Sequence, residues 1–232
     1  MGNGLLIAAT DTECGKTVLT CALIAYWRQY CSSRQLGVLK PVQAGEGDRE
    51  LFQQLFALGQ SLEEINPLFY KAPLAPPIAA ALESAMVDLT PAWQRYTVLT
   101  QQCDWVLVEG LGGLGSPVTD EMTVADLAAD WRLPVVLVVP VKLGAIAAAV
   151  ANAALARQHR LQLRGIVLNC TTPEGEDRLN QLTPPDMIAN LTRIPVLGVL
   201  PHFSDPTNLD QLSAAARELD LEAIMPEAFW VA

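Results

Sequence analysis

The sequence predicts an α/β chain built on a doubly wound, mostly parallel sheet, and three observations carry that prediction. Six apolar runs recur along the chain, at 5–10, 36–42, 104–109, 134–141, 164–170 and 195–200. They are near-continuous in Val, Leu and Ile rather than alternating, the pattern of strands covered on both faces. Segments of helical length separate them, so each strand returns to the sheet through a right-handed crossover. The first run delivers the chain into Gly15-Lys16-Thr17, which opens a helix. In such sheets ligands gather at the carboxyl ends of the strands, and that triplet lies at one of them.

Taken in order, Leu5, Leu6, Ile7, Ala8 and Ala9 form the first strand, and 17–30 (TVLTCALIAYWRQY) the helix after it. The run 36–42 (LGVLKPV) reads as the second strand, followed by a helix over 48–59 that starts at Asp48, a suitable N-cap. The proline-rich segment 67–77 (PLFYKAPLAPP) reads as irregular, an ordered loop over the site. Thr90-Pro91 supplies a cap and a first helical residue for 91–102. Strand 104–109, helix 123–132, strand 134–141, helix 144–160, strands 164–170 and 195–200 and helix 208–220 complete the set. Composition does not change abruptly along the chain and no repeat is visible, so 1–232 reads as one domain.

Hydrophobic residues make up 51% of the chain and charged residues 17%, which excludes a disordered chain and suits a sizeable core. Fifteen Lys and Arg against 25 Asp and Glu leave a net charge of −10, which argues against nucleic acid and anionic lipid as partners. Cys14, Cys21, Cys31, Cys103 and Cys170 are odd in number and lack C-x-x-C spacing, so they read as free thiols in a reducing cytoplasm. No signal peptide precedes Leu5, and the Ala-rich stretch 144–156 is too short to span a membrane. Trp27, Trp93, Trp105, Trp131 and Trp230 are scattered and read as packing residues.

The chemistry lies where strands end. Backbone N–H groups at the start of the first helix form an anion cradle, Lys16 can reach the β- and γ-phosphates of a nucleotide, and the Thr17 hydroxyl can ligate Mg²⁺. The usual spacing, G-x-x-x-x-G-K-[ST], would place glycine at position 10. This chain has Thr10 there, with the small residue one step earlier at Ala9, so the loop is one residue longer. Between an apolar strand and a helix the triplet reads as a phosphate loop, giving the sheet a P-loop NTPase-like topology. Cys14, beside Lys16 at the helix start, is expected to be the most reactive thiol. The second strand ends in Lys40-Pro41-Val42-Gln43-Ala44-Gly45 and the third in Glu109-Gly110-Leu111-Gly112-Gly113. A carboxylate ending a buried strand beside a phosphate loop is a Mg²⁺ partner, and the glycines let backbone approach a ligand. The fourth strand ends in Val141-Lys142-Leu143-Gly144, so Lys16, Lys40 and Lys142 are expected to converge on one point.

Together, TDTECGKT at 10–17, KPVQAG at 40–45, LVEGLGG at 107–113, VKLG at 141–144 and Asn169 resemble the dethiobiotin synthetase family. The longer phosphate loop is a mark of that family. The resemblance spans nearly the whole chain and implies a ligase that closes the ureido ring of dethiobiotin from 7,8-diaminononanoate, CO₂ and ATP, with Mg²⁺. Residue by residue, it implies that Lys16 and Lys40 contact γ-phosphate and carbamate oxygens, that Thr12 helps hold the carbamate, and that Lys142 serves the reaction. It implies Mg²⁺ on Thr17, Asp48 and Glu109, and nucleotide contacts from Glu13, Cys14, Gly15, Lys16, Thr17, Val18, Gly110, Leu111 and Gly112. Asn169 would read adenine, within a loop of Pro201, His202 and Phe203. Ala44 and Gly110 would lie near the diamine, Ala44 where the family places a hydroxyl residue, and Ala9 replaces the glycine that begins the loop. The family's homodimers put the helix 144–156 near the interface. Three other readings are a cobyrinic acid amidation synthetase, a partition or cell-division-site ATPase, and an inactive paralogue. The first carries a glutaminase domain for which 232 residues leave no room. The second carries an early loop lysine, where this chain reads ATDTE, and often a basic terminal helix, whereas 222–232 has no basic residue.

Overall fold

The computed structural model describes residues 3–225. Its first half comprises β1 (Gly4–Ala9), α1 (Lys16–Tyr30), β2 (Leu36–Leu39), β3 (Val42–Ala44), α2 (Asp48–Leu55), α3 (Leu62–Ile65), β4 (Leu68–Tyr70), α4 (Pro76–Leu82) and α5 (Thr90–Gln102). The second half comprises β5 (Trp105–Gly113), α6 (Val124–Asp130), β6 (Val135–Pro140), α7 (Ala145–Gln158), β7 (Leu163–Asn169), α8 (Pro173–Asp177) and α9 (Leu179–Leu182). It ends with α10 (Pro185–Thr192), β8 (Val196–Leu200), α11 (Leu209–Arg217) and α12 (Leu221–Ile224).

Six strands form one parallel sheet in the order β2-β5-β1-β6-β7-β8. β1, β5 and β6 are middle strands of this order, and their apolar residues other than Leu111 are buried because helices cover both faces. One face packs α1, α2, α11 and α12 through Leu19, Leu23, Phe52, Leu212 and Ile224, with Trp27 against Trp105 at 5.2 Å. The other packs α4 to α7 and α10 through Ala79, Leu99, Leu127, Ala149 and Ile188, with Tyr96 stacked on Trp131. The packing role read for the tryptophans therefore holds for Trp27, Trp105 and Trp131; Trp93 is half exposed beside Trp131, and Trp230 lies outside the described residues. The chain winds outward from β1 to β2 on one side and from β6 to β8 on the other, so a crevice opens beside the carboxyl end of β1.

Two segments differ from the sequence reading, and both shape that crevice. The run 36–42 divides at Lys40-Pro41, because Pro41 has no N–H for the ladder and the Lys40 amide instead donates to Ile65 O at 2.7 Å. β3 then pairs with β4 as a separate two-stranded sheet. The proline-rich segment 67–77 is accordingly not irregular throughout: Leu68–Tyr70 is a strand, and Pro76 opens α4 from a first-turn position where its missing N–H costs nothing. Buried Asn66 fastens the two pieces, donating to Lys40 O at 2.7 Å and to Leu68 O at 3.0 Å. The helix expected over 48–59 stops at Leu55, where Phe56 turns extended to bury its ring.

β5 does not run in step with β1. Ile7 faces Glu109 but Ala9 faces Gly113, so Gly110, Leu111 and Gly112 are looped out of register beside the phosphate loop. The return is tight: a Cβ at Gly113 would lie 2.7 Å from the Thr10 carbonyl oxygen, a backbone atom that cannot swing away. Gly113→Ala should therefore destabilise the protein by about 1–3 kcal/mol, the usual cost of overpacking. At this chain length that corresponds to a melting temperature lower by roughly 2–4 °C for each kcal/mol. Calorimetry on the variant would test this, and an unchanged midpoint would show that the two loops are not in contact.

Candidate active site

The phosphate loop follows β1. Gly15 precedes α1 with φ 92°, in the left-handed region, and a Cβ there would meet Asn169 Nδ2 at 2.0 Å, so glycine is required on two counts. Glu13 also has positive φ, 54°, an uncommon conformation for a side-chain-bearing residue, whereas Ala9 ends β1 without one. No side chain caps α1 and no acid occupies its first turn. Its first amides are therefore left for an anion, with the helix dipole behind them. The Lys16 ammonium folds back onto Asp11 O at 3.3 Å and is 8% exposed as a residue. Burial pulls it below the usual lysine range; Glu109 opposes that shift and the nearby Lys40 charge reinforces it.

Lys40 is the centre of the site. Its side chain is buried between two carboxylates, 2.8 Å from Glu109 Oε1 and in contact with Asp48 Oδ2, with Gly110 O at 3.4 Å. Burial alone would lower the Lys40 pKa, but Glu109 and then Asp48 outweigh it and hold the ammonium above the usual lysine range. Burial would likewise raise Asp48, yet Lys40 holds that carboxyl below the usual range. Thr17 Oγ lies 2.9 Å from Asp48 Oδ1 and 3.1 Å from Glu109 Oε1, so the start of α1, the start of α2 and the residue of β5 before its bulge meet at one point.

Two further residues support these groups, and the sequence reading passed over both. Thr20, fully buried one turn beyond Thr17, places its hydroxyl 2.6 Å from Glu109 Oε2. The three-residue helical spacing from Thr17 was the available signal. Gln43, within the KPVQAG motif, donates to Gly45 O and Glu50 and accepts from the Arg49 amide. Glu50 in turn accepts from the Gly47 amide and from Arg49. Slight burial would raise its carboxyl, but the bonds from Arg49 and the Gly47 amide bring it down to about 2. This network fixes the turn that presents Asp48.

A cavity of about 680 Å³ opens over this cluster. Thr12, Glu13, Gly15, Lys16, Thr17, Lys40 and Asp48 line its polar side; Val42, Ala44, Pro73, Leu74, Ala75, Pro76, Leu111, Gly112 and Pro117 line the other. Gly110 lies immediately below, its carbonyl turned to Lys40. Lys142 does not join Lys16 and Lys40: it is exposed at the end of β6 and is not part of the cavity wall. The convergence expected of three lysines is thus one of two, because β6 lies on the far side of β1 from β5 and β2. Asn169, Pro201, His202 and Phe203 also stand outside this cavity, at the ends of β7 and β8. Asn169 is buried and donates to Cys14 O at 3.0 Å, and His202 donates its amide to Glu176. Cys14 is 1% exposed and its thiol contacts Thr12 O, so the reactivity expected from its position is blocked by burial. Val18, next in α1, is half-buried.

Among the described residues no three His, Cys, Asp or Glu gather as a metal cluster. The oxygen set that does gather is sparse: one hydroxyl and two carboxylates, Thr17, Asp48 and Glu109. Such a set fits Mg²⁺, which is held by one or two carboxylates together with substrate phosphates and water. Lys40 bonded to the same two acids is itself a sign that the pair is built to face positive charge.

A family model described as an AAA domain matches residues 3–209. The ATP-dependent dethiobiotin synthetase BioD of Gloeothece citriformis is 55% identical over 222 residues, covering 96% of this chain and 98% of that protein. Proteins of the same name from Synechocystis sp. and Bacillus cereus are 46% and 32% identical, covering 95% and 93% of this chain and 94% and 90% of their own lengths. In fold, the chain is similar to a ParA family ATPase from Chlorobium tepidum, with TM-score 0.61 and 12% identity over 96% of this chain and 98% of the other. It is also similar to the cell division ATPase MinD of Pyrococcus furiosus, with TM-score 0.58 and 15% identity over 97% and 98%. At those identities the likeness establishes the P-loop fold alone. The relatives matched from end to end settle the narrower question, and the chain belongs to the dethiobiotin synthetase family.

Proposed function

We propose that this protein is an ATP- and Mg²⁺-dependent ring-closing ligase, one catalytic domain over 1–232, that forms the ureido ring of dethiobiotin from 7,8-diaminononanoate and CO₂. The observation that carries the reading is buried Lys40, held by two acids between a phosphate loop and an apolar cavity wall. One amine of the diamine takes up CO₂ as a carbamate and loses a proton. A carbamate oxygen attacks the γ-phosphorus and ADP leaves; the second amine then attacks the carbonyl carbon, phosphate leaves, and that nitrogen gives up a proton. The difficulty is electrostatic, since a carbamate anion must approach a triphosphate. Lys16 at the γ-phosphate and Lys40 at the carbamate, helped by Thr12, supply fixed positive charge where negative charge meets. Thr17, Asp48 and Glu109 would hold Mg²⁺, which contributes further neutralisation.

The remaining assignments follow the same resemblance. Glu13, Cys14, Gly15, Val18, Gly110, Leu111 and Gly112 would surround the nucleotide, with its base between Asn169 and the turn of Pro201, His202 and Phe203. Ala44 would border the diamine, whose methylene chain suits the wall of Pro73, Leu74 and Pro76. A homodimer would use the outer face of α7, where Ala147, Ala151 and Ala154 are exposed, and Leu143 just before it, bringing Lys142 toward the partner's cavity. Free thiols suit a cytoplasmic enzyme. No helix among the described residues is long and apolar enough to cross a membrane.

Phosphate release tests the reaction. Hydrolysis should be slow with ATP alone and rise strongly only when diamine and bicarbonate are both present; indifference to them would overturn the ligase reading in favour of a switch ATPase or an inactive paralogue. Lys40→Gln should reduce the stimulated rate by roughly 10²–10³-fold, the usual loss for one charge-stabilising donor. ADP affinity, which depends on Lys16 and the loop amides, should remain within about threefold, no more than one weak hydrogen bond is worth.

Lys16 gives a paired test of stability and activity. Its folded-state pKa is depressed, so the charged side chain opposes folding at neutral pH, and that opposition fades as pH rises toward the unfolded lysine value. Lys16→Met should therefore melt higher than the wild type without ligand near pH 7, yet lose stimulated turnover by roughly 10²–10³-fold. A lower melting point would show that Lys16 is a net structural stabiliser.

Ala44→Ser restores a hydroxyl to the cavity wall. It should lower the KM for diamine by about threefold to tenfold at unchanged kcat, the worth of one hydrogen bond. Steady-state kinetics in diamine would measure it, and a KM unchanged or raised would place the diamine elsewhere.

A further inference from the structure

Helix α7 carries one polar side chain in the stretch AIAAAVANAALA, Asn152, and that residue joins two loops remote from each other in sequence. Its Nδ2 donates to Thr10 O at 3.3 Å, at the start of the phosphate loop, and to Ala148 O at 2.9 Å within the helix. Its Oδ1 accepts from the Leu114 amide at 3.1 Å, just beyond the bulge of β5. Leu114 is fully buried, so this amide has no water to turn to. The partners also fix which end of the amide is which: two carbonyls face the nitrogen and one N–H faces the oxygen.

The two loops leave the ladder together, where Ala9 pairs with Gly113, and they also meet beyond it. Gly113 lies against the Thr10 carbonyl, and a Cβ at Gly112 would come within 3.9 Å of Thr12. Thr12, Glu13 and Gly15 form one wall of the cavity and Leu111, Gly112 and Ser116 another, so the Asn152 bonds add a side-chain tie between walls that must hold triphosphate and acceptor together. Nothing in helix formation explains the residue, since asparagine is a poorer helix former than the alanines around it.

We propose that Asn152 is a positioning residue for the ring-closing reaction, a clamp that holds the phosphate loop and the β5–α6 loop at the spacing in-line transfer requires. It contacts neither nucleotide nor diamine directly. Small displacements of reacting groups cost rate far more than affinity, and about 1 Å can cost on the order of 10²-fold. The rate measurement rests on the ligase reading above, but a second readout does not.

The experiment compares wild type, Asn152→Ala and Asn152→Asp by hydrogen exchange of the ligand-free protein and by kinetics. In Asn152→Ala the Leu114 amide loses its acceptor, so peptides covering 110–118 should exchange at least tenfold faster. Asn152→Asp keeps an acceptor for Leu114 but loses the donor to Thr10, so protection of 110–118 should stay within about twofold of wild type, well below the loss of one hydrogen bond. Both variants should lose at least tenfold in stimulated kcat, with ADP affinity within threefold. Unchanged exchange in Asn152→Ala, or full kcat in either variant, would overturn the proposal. So would a loss of kcat matched by an equal loss of ADP affinity. If the wild type shows no diamine-stimulated turnover, the ligase reading fails by itself, while the exchange comparison still decides whether Asn152 clamps the loops.

Discussion

One lysine held by two acids organises this molecule. Lys40 brings its ammonium against Glu109 and Asp48 where little water can reach, and each group arrives on a different element. Removing one member of such a buried set strands the charge of the others, typically at a cost of about 3–5 kcal/mol. The surrounding architecture keeps the set together. Pro41 keeps the lysine from being continued into the ladder, Asn66 fixes its carbonyl, Glu109 is the last residue of β5 in register before the bulge, and the Gln43–Glu50 network pins the turn that offers Asp48. The split of one apolar run into β2 and β3 is best understood as the geometry that lets Lys40 point inward.

The distribution of charge follows from this arrangement. The chain has four lysines, Lys16, Lys40, Lys71 and Lys142, within a strongly acidic total. Two of the four are buried beside one cavity, where low polarisability magnifies each charge. They are not equivalent. Lys40 is fully paired and stabilised as a cation, whereas Lys16 has only a loop carbonyl and is held against its preference. A site prepared to receive a polyanion should contain an unsatisfied cation of the second kind, since a charge already paired within the protein has less to offer a ligand.

Much of this was legible in the sequence, for physical reasons. The six strands announced themselves because both faces of the sheet are covered, which demands uninterrupted apolar runs. Thr17, Lys40 and Glu109 were identifiable because each closes such a run or opens the helix behind it. Lys142 was misplaced by the same logic: being at the carboxyl end of a strand does not say on which side of β1 that strand lies, and strand order is not written in local pattern. The wall of Leu68–Tyr70 and α4 was missed because prolines mask short elements that use them at first-turn or edge positions. Thr20, Gln43 and Asn152 act through a partner group, and their residue types have no meaning until the partner's position is known.

Gly15 and Asn169 together show how two distant positions of the site constrain each other. The glycine is needed both for its backbone angle and because the asparagine amide occupies the space any side chain would take. Trimming Asn169 would vacate the space without relieving the angle, and it would withdraw the donor from Cys14 O. The two positions are therefore coupled, although they lie far apart in sequence. A side chain at position 15 would have to displace an amide that is itself bonded to the loop, so the phosphate loop and the end of β7 can move only together.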